Sequence, residues 1–357
     1  MSKPNPEHAR EAGLRYVDGW TRGIRRKRWG RGFRYINHRG EPVRDSDTLA
    51  RITALVIPPA WRDVRISAEQ DAHIQAVGRD ARGRKQYLYH MRWTAARGLA
   101  KFAELLEFLE ILPAMRRRVA KDLRRRGLPR EKVLALLVSL LESTLIRVGS
   151  AKYARMNRSF GLTTLENDHL DETCPGLCLA FTGKRGKPVS VNLRNKRLVR
   201  LIKEVQELPG QRLFQYVNDE GDIVQVDSAD LNGYLSQISQ KEVTAKDYRT
   251  WGGTMLAAAH LEEIGRPETA AGRKRAVNKA VRRVAKALNN TPAISRKYYI
   301  HPDVIKAFEQ GTLFGYMEEG RARAEQGLTE LTPVEEGVRL TLRASIGVSA
   351  HQRSGIQ

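Results

Sequence analysis

The sequence predicts an α+β fold: a small β-rich N-terminal domain at residues 1–90, a larger, mainly α-helical domain at 91–320, and a partly disordered C-terminal tail at 321–357. Three observations carry this. Before about residue 90, apolar residues alternate in short runs broken by glycine and proline, as strands and turns require. From about Trp93 the apolar spacing changes to three and four, the period of helices that bury one face. The 357 residues are enough for two ordinary domains, each with its own core.

Charge sets the class of partner. The 63 basic residues outnumber the 40 acidic ones by 23, and the excess runs from Arg22 to Arg283 instead of forming a tail. Such a field points to a polyanion, nucleic acid above all. A membrane-surface binder is the alternative, and the aromatic residues mixed into the basic stretches favour nucleic acid. Val133 to Ile146, the most apolar run, is too short to span a bilayer and contains Glu142. The opening SKPNPEHAREAG has no apolar core, so a soluble cytoplasmic protein is expected. Cys174 and Cys178, in ETCPGLC, are too few for a disulfide framework and lack the spacing and second ligand pair of a zinc site. They read as two structural thiols of an intracellular protein.

In chain order, GWTRGIRRKRWGRGFRY (19–35) interleaves aromatic residues with cations and suits short strands that track phosphates. LVIPPAW (55–61) reads as a connector because Pro58-Pro59 cannot continue a strand. HIQAVGRDARGRKQYLYH (73–90) reads as a β-hairpin turning at Arg79 to Gly83, with Tyr87 and Tyr89 on one face. Arg82, Arg84, Lys85 and Gln86 then join the two phenols as candidate phosphate contacts, since such donors position a duplex without reading its bases. The other reading is two core tyrosines on a charged hairpin.

Thr94–Leu112 and Met115–Arg126 read as two amphipathic helices, and the Gly127-Leu128-Pro129 break precedes a third, from Pro129 to about Val148. Arg147 falls at the end of that apolar helix, where a cation complements the helix dipole or serves a site. LCLAFTGKRGKPVSVNL (177–193) alternates on both sides of a Gly-Lys-Arg-Gly turn, a hairpin with Lys184 at its tip. A helix from about Thr244 carries Lys246 and Arg249, three apart and so on one face. Ala271–Leu288 is a further basic helix. It delivers the chain to LNNTPAISRKYYIHP (288–302), where Tyr298 and Tyr299 stand beside Arg296 and Lys297. A phenol flanked by cations can attack a phosphate; it can equally be a half-buried aromatic with a wet tip.

Arg147, Lys184, Arg249, Asn290 and Tyr299, in that order, form a set that resembles the active site of type IB DNA topoisomerases, and the chain is similar to their poxvirus-like bacterial branch. The resemblance rests on LIRVGSAKYARMNRSFGLTTL (145–165), FTGKRGK (181–187), VTAKDYRTWG (243–252) and NTPAISRKYYIHP (290–302), and GRDARGRKQYLYH resembles the family's duplex-contacting hairpin. It covers about residues 14–317 and leaves the tail outside.

What the resemblance implies is a monomer that closes as a clamp around duplex DNA and needs no metal, cofactor or ATP. Tyr299 attacks a backbone phosphate, a 3′-phosphotyrosyl bond forms, the nicked strand swivels, and the 5′-hydroxyl reseals it. Arg147 and Arg249 stabilise the transition-state charge as permanently charged forks, and Lys184 protonates the departing 5′-oxygen. Lys152, Tyr153 and Lys246 join the hairpin residues as DNA contacts. The Y-I-H-P context makes Tyr299 the nucleophile and Tyr298 its neighbour. Poxvirus and eukaryotic relatives carry a histidine where this chain has Asn290, and an amide donates a hydrogen bond but carries no charge. Two other readings are a tyrosine recombinase, whose H-x-x-R box is here Lys246-x-x-Arg249, and a non-catalytic DNA clamp.

Overall fold

The protein is described from a computed structural model covering residues 6–18, 23–174 and 176–354. It divides into two compact units, Met1–Phe102 and Ala103–Gln357.

The first unit holds α1 (Pro6–Glu11), β1 (Ile24–Trp29), β2 (Gly32–Ile36), α2 (Ser46–Ala54), β3 (Arg62–Ile66), β4 (Ile74–Arg79) and β5 (Lys85–Tyr89). The strands form one antiparallel sheet in the order β2-β1-β3-β4-β5. The expected hairpin is β4–β5. Its turn is closed by Asp80, whose carboxylate accepts from the backbone N–H groups of Arg82 and Arg84 at 3.0 Å each. Gly83 takes the positive φ of 72° that the turn needs. Residues 55–61 are a connector without a strand, held by the Arg26 guanidinium, which donates to the carbonyls of Ile57, Pro58 and Trp61. One cation of the basic 19–35 stretch is therefore structural. Positions 19–22 of that stretch lie outside the described residues.

On one face of this sheet Ile24, Val64, Ile66 and Ala76 pack with Ile52 of α2. The register places Lys27 opposite Arg34, Arg25 opposite Arg65, and Val77 opposite Tyr87, so these residues share the other face.

The second unit begins within α3 (Met91–Asp122) and adds α4 (Arg130–Thr144), α5 (Ala151–Asn157), β6 (Leu170–Asp171), β7 (Leu177–Thr182), β8 (Pro188–Leu193), α6 (Lys196–Gln206), β9 (Gln215–Val217), β10 (Ile223–Gln225) and α7 (Ser228–Ser239). It closes with α8 (Ala245–Ile264), α9 (Ala270–Ala287), α10 (Pro292–Tyr298), α11 (Pro302–Gln310), α12 (Leu313–Glu325) and α13 (Pro333–Ser354). α4 is the central helix, with Val133 to Val138 all within 1% of complete burial, which is why it reads as apolar all round.

Four expectations change. α3 is one 32-residue helix that carries Pro113, not two helices; Leu112 and Met115 are both fully buried, and this packing outweighs the missing backbone hydrogen bond. α4 stops four residues before Val148, because Leu145 adopts a left-handed conformation (φ 54°, ψ 23°) and turns Arg147 out of the helix. Cys174 and Cys178 are bonded to each other, not separate thiols; the turn between them, with Gly176 at φ 99°, brings their Cα atoms to 6.2 Å.

The fourth change concerns the tail. Instead of disorder, α13 packs on α12, and at their closest approach a Cβ on Gly320 would lie 2.5 Å from the backbone nitrogen of Gly337. Val338 and Leu342 are buried. The polarity that suggested a solvated segment belongs to buried ion pairs: Glu336 is fully buried, bonded to Arg339 and, at 2.7 Å, to Arg323. Charges with complementary partners and hydrogen bonds can sit inside a core.

Candidate active site

The site is organised from α8. Arg249 on its second turn is 5% exposed, and its guanidinium donates to the carbonyl of Leu145 and, at 2.9 Å, to that of Leu288. These are the carbonyls of the residues that end α4 and α9. A cation suits both places, because unpaired carbonyls and helix dipoles make helix C-termini electronegative. Two residues beyond Leu145 lies Arg147, and two beyond Leu288 lies Asn290. One buried side chain thus fixes both chain segments.

Gly253, one turn beyond Arg249 and on the same face of α8, receives Tyr299. A Cβ at position 253 would sit 2.5 Å from the Tyr299 carbonyl oxygen and 3.1 Å from its Cβ. Thr254 Oγ1, which donates to the Thr250 carbonyl at 2.8 Å, lies 3.4 Å from that carbonyl and accepts from the His301 N–H at 3.1 Å. The Tyr299 ring centroid then lies 5.3 Å from the Arg249 guanidinium carbon. Tyr298 faces outward, 38% exposed, with Lys297 5.4 Å over its ring. The cation stacked on the proposed nucleophile is thus Arg249 from α8.

Arg147 occupies an extended segment clamped by Gly161, where any Cβ would lie 2.4 Å from the Arg147 carbonyl oxygen. That carbonyl accepts from Leu162 N at 2.9 Å. The Arg147 guanidinium reaches across to donate to Asn290 Oδ1 and to the Asn289 carbonyl. With its oxygen engaged, Asn290 turns its amide nitrogen elsewhere; among the described residues this buried Nδ2 has no hydrogen-bond partner, nor has the buried Arg249 Nε. Two unused donors beside a phenol and two guanidinium groups suit an anion.

Lys184 is exposed at the tip of the β7–β8 hairpin, as its position in the turn predicts. The hairpin is tied to the site by Asn289, whose Nδ2 donates to the Pro188 carbonyl at 3.2 Å, and by Ser159, whose hydroxyl donates to Gly183 O at 3.1 Å. Lys184, Arg147, Arg249 and Asn289 line one cavity of about 40 Å³. Electrostatics follow from this crowding of cations. Burial pulls the Arg249 pKa down to about 10, with Arg147 adding to the fall and the Tyr299 phenol opposing it. Burial likewise lowers Arg147, with Arg185 lowering it further and Tyr299 opposing. Arg249, with a value near 10, keeps its charge at neutral pH.

The remaining candidates divide. Lys85, Tyr87 and Tyr89 lie on the sheet face opposite α2, both phenols 39% exposed, with ring centroids 6.0 Å apart. Arg84, just before β5, and Gln86, of opposite parity on it, bond to Asp80, Arg84 Nε at 2.8 Å and Gln86 Nε2 at 3.0 Å. This contact holds the Asp80 carboxyl down at about 2. Arg82 is exposed in the turn. Lys152 and Tyr153 are exposed on α5, and Lys246 is half-buried on the first turn of α8. Sequence reasoning missed Trp29, 64% exposed with the Arg34 guanidinium 4.3 Å over its ring, and Arg65. The strict alternation of IRRKRW puts Arg25, Lys27 and Trp29 on one side and was the available signal. Also missed were Gly253 and Thr254, which seat Tyr299. Among the described residues no group of three or more His, Cys, Asp or Glu side chains is placed to hold a metal, and no helix is long and apolar enough to cross a membrane.

Comparison with known proteins places this geometry. Residues 90–325 match the family described as eukaryotic DNA topoisomerase I, catalytic core, and residues 32–80 match the bacterial DNA topoisomerase IB N-terminal domain. DNA topoisomerase 1B of Acanthamoeba polyphaga mimivirus is 30% identical over 82% of this chain and 89% of its own length. DNA topoisomerase I of monkeypox virus and DNA topoisomerase 1B of vaccinia virus (strain Copenhagen) are each 21% identical over 64% of this chain and 71% of theirs.

The seating of Tyr299 is directly testable. Gly253→Ala is expected to lower the unfolding free energy by about 1–3 kcal/mol, the usual range for overpacking. Gly233→Ala, on an open stretch of α7, should be neutral or stabilise by roughly 0.5–1 kcal/mol. Urea unfolding of both variants checks this, and a Gly253→Ala variant as stable as the parent would contradict the close approach.

Proposed function

The chain belongs to the type IB DNA topoisomerases, and on that footing we propose that it relaxes supercoiled duplex DNA by transient nicking of one strand through Tyr299. The carrying observation is the seat on α8, where the Tyr299 backbone packs directly on Gly253 and the Arg249 guanidinium carbon lies 5.3 Å from the Tyr299 ring centroid.

Tyr299 Oη attacks a backbone phosphorus. A phenolic O–P bond forms on the 3′ side, the P–O5′ bond breaks, and the phenolic proton is released. An alkoxide is too basic to depart unaided, so Lys184, on a mobile stem at the hairpin tip, donates a proton to O5′. Charge rises on the non-bridging oxygens in the transition state. Arg147, Arg249 Nε and Asn290 Nδ2 meet it as preorganised donors in a site with little water. Asn290 acts here by hydrogen bonding alone: Arg147 engages its oxygen, and an amide has no proton to exchange. Once the free strand has swivelled, the 5′-hydroxyl attacks the phosphotyrosine and the steps reverse. The bond energy is retained in the phosphotyrosyl ester, so the reaction needs no ATP, and the chain's own donors carry the charge.

The sheet face of the first unit opposite α2 supports the binding half of this reading. Lys85, Tyr87 and Tyr89, with Arg65, Lys27 and Arg34 on the same side, contact phosphates of the duplex, and Arg82 adds a charge at the turn. Arg84 and Gln86 shape the turn instead. Lys152 and Tyr153 on α5 and Lys246 on α8 contribute further contacts from the second unit. A monomer that closes both units around one duplex, in the cytoplasm at the nucleoid, completes the proposal.

Two measurements test it. Purified protein should relax both positively and negatively supercoiled plasmid in EDTA without nucleotide, while Tyr299→Phe binds DNA and leaves it supercoiled; a requirement for magnesium or ATP would refute the assignment. With Lys184→Ala, cleavage of an ordinary duplex should slow by roughly 10²–10⁴-fold, the span of general-acid effects. A 5′-phosphorothiolate leaving group, which departs without a proton, should restore it. Failure of that restoration would remove Lys184 as the acid.

A further inference from the structure

The segment beyond residue 325 lies outside both family matches, yet a glutamate in it reaches toward the active-site helices through a single arginine. Arg116 of α3 makes a two-pronged contact with Glu335 of α13, Nη1 to Oε2 at 2.9 Å and Nη2 to Oε1 at 2.7 Å. Its Nε donates to Glu142 Oε1 at 2.8 Å, and its guanidinium carbon lies 5.9 Å from the centroid of Trp251. Glu335 is 2% exposed, and its second duty is to accept from Thr332 N at 2.8 Å, which fixes the start of α13.

Glu142 and Trp251 are both close in chain to the site. Glu142 is on the last turn of α4, three residues before Leu145, whose carbonyl accepts from Arg249. Trp251 is on α8, two residues after Arg249 itself. Arg116 therefore holds the end of α4 and the start of α8 at the level where Arg249 bridges them. A planar fork with both prongs and its Nε engaged is a geometric constraint as well as a charge contact.

We propose that Glu335 is a positioning residue for DNA cleavage: it fixes Arg116, and Arg116 sets the register of α4 against α8 that brings the Leu145 carbonyl, and with it Arg147, to Arg249. The inference rests on the assignment of Arg147, Arg249 and Tyr299 to the active site. It makes the C-terminal helix part of the catalytic machinery by position, without touching DNA.

The test uses the full chain and a nicked suicide duplex, with single-turnover formation of the covalent complex at saturating enzyme and DNA affinity read separately by fluorescence anisotropy. Glu335→Gln is expected to slow cleavage about ten- to a hundredfold, since small displacements remote from the chemistry act on that scale, and to leave affinity within roughly threefold of the parent. Arg116→Met should slow cleavage similarly, and the Arg116→Met/Glu335→Gln double variant should be no slower than Arg116→Met alone, because the two act through one node. Glu330→Gln, which removes an exposed tail carboxylate paired with Arg117, should cleave at the parental rate. A folded Glu335→Gln protein that cleaves at the parental rate, or a double variant whose losses multiply, would overturn the proposal. If Glu335→Gln gives no cooperative melt, Arg116→Lys, which keeps the charge but lacks the fork, is read in the same assay with the same expected loss, and a parental rate overturns the proposal. Tyr299→Phe run alongside separates the two levels: a covalent complex formed by that variant would remove the active-site assignment itself, whatever Glu335 does.

Discussion

The arrangement depends on one buried guanidinium that joins two helix ends. Arg249 bonds the final carbonyls of α4 and α9, and the segments leaving those ends carry Arg147 and Asn290, which then bond each other. Burying an arginine is costly unless its donors are satisfied, and here backbone acceptors at two electronegative helix termini satisfy the two terminal nitrogens, while Nε has no partner among the described residues. The same side chain lies against the Tyr299 ring, so the position of the proposed nucleophile and the positions of its supporting donors are not independent. A lysine at 249 could supply the charge but not the planar fork that reaches both carbonyls.

This geometry also bears on the exchange of histidine for asparagine relative to poxvirus and eukaryotic enzymes. Asn290 has one acceptor oxygen and an amide nitrogen with two N–H donors. Arg147 takes the oxygen, so the amide has a defined orientation with the nitrogen as its only remaining polar atom. On the proposed assignment, this contact with Arg147 orients a neutral amide at the position the resemblance gives to an ionisable ring.

Much of this was legible in the sequence, and the failures share a cause. The set Arg147, Lys184, Arg249, Asn290, Tyr299 was picked out by its resemblance to a family, and the structure brings Arg147 to Asn290 and Arg249 to Tyr299; the hairpins around Gly83 and Lys184 were readable from strand alternation and turn residues. The division of β5 into Lys85, Tyr87 and Tyr89 on one face and Gln86 on the other was within reach of the same period-two rule. What escaped depended on partners far away in the chain. Glu335 and Glu336 read as solvated charges until Arg116, Arg323 and Arg339 are placed beside them, and Pro113 read as a break until Leu112 and Met115 are seen packed on both sides. Arg249 read as half of an exposed basic patch with Lys246, whereas the acceptors that bury it belong to two other helices. Residues 326–354 complete the core of the second unit, so the helical body extends past the part matched by the family.

The central claim is that Tyr299, and not its neighbour, becomes joined to the DNA. Tryptic cleavage after Lys297 and Lys306 places both phenols on one peptide, 298–306. Mass spectrometry of the covalent complex trapped on a suicide duplex can therefore tell them apart by fragmentation. The account predicts a nucleotide linked through its 3′-phosphate to Tyr299; a 5′-linked nucleotide, or one carried by Tyr298, would contradict it.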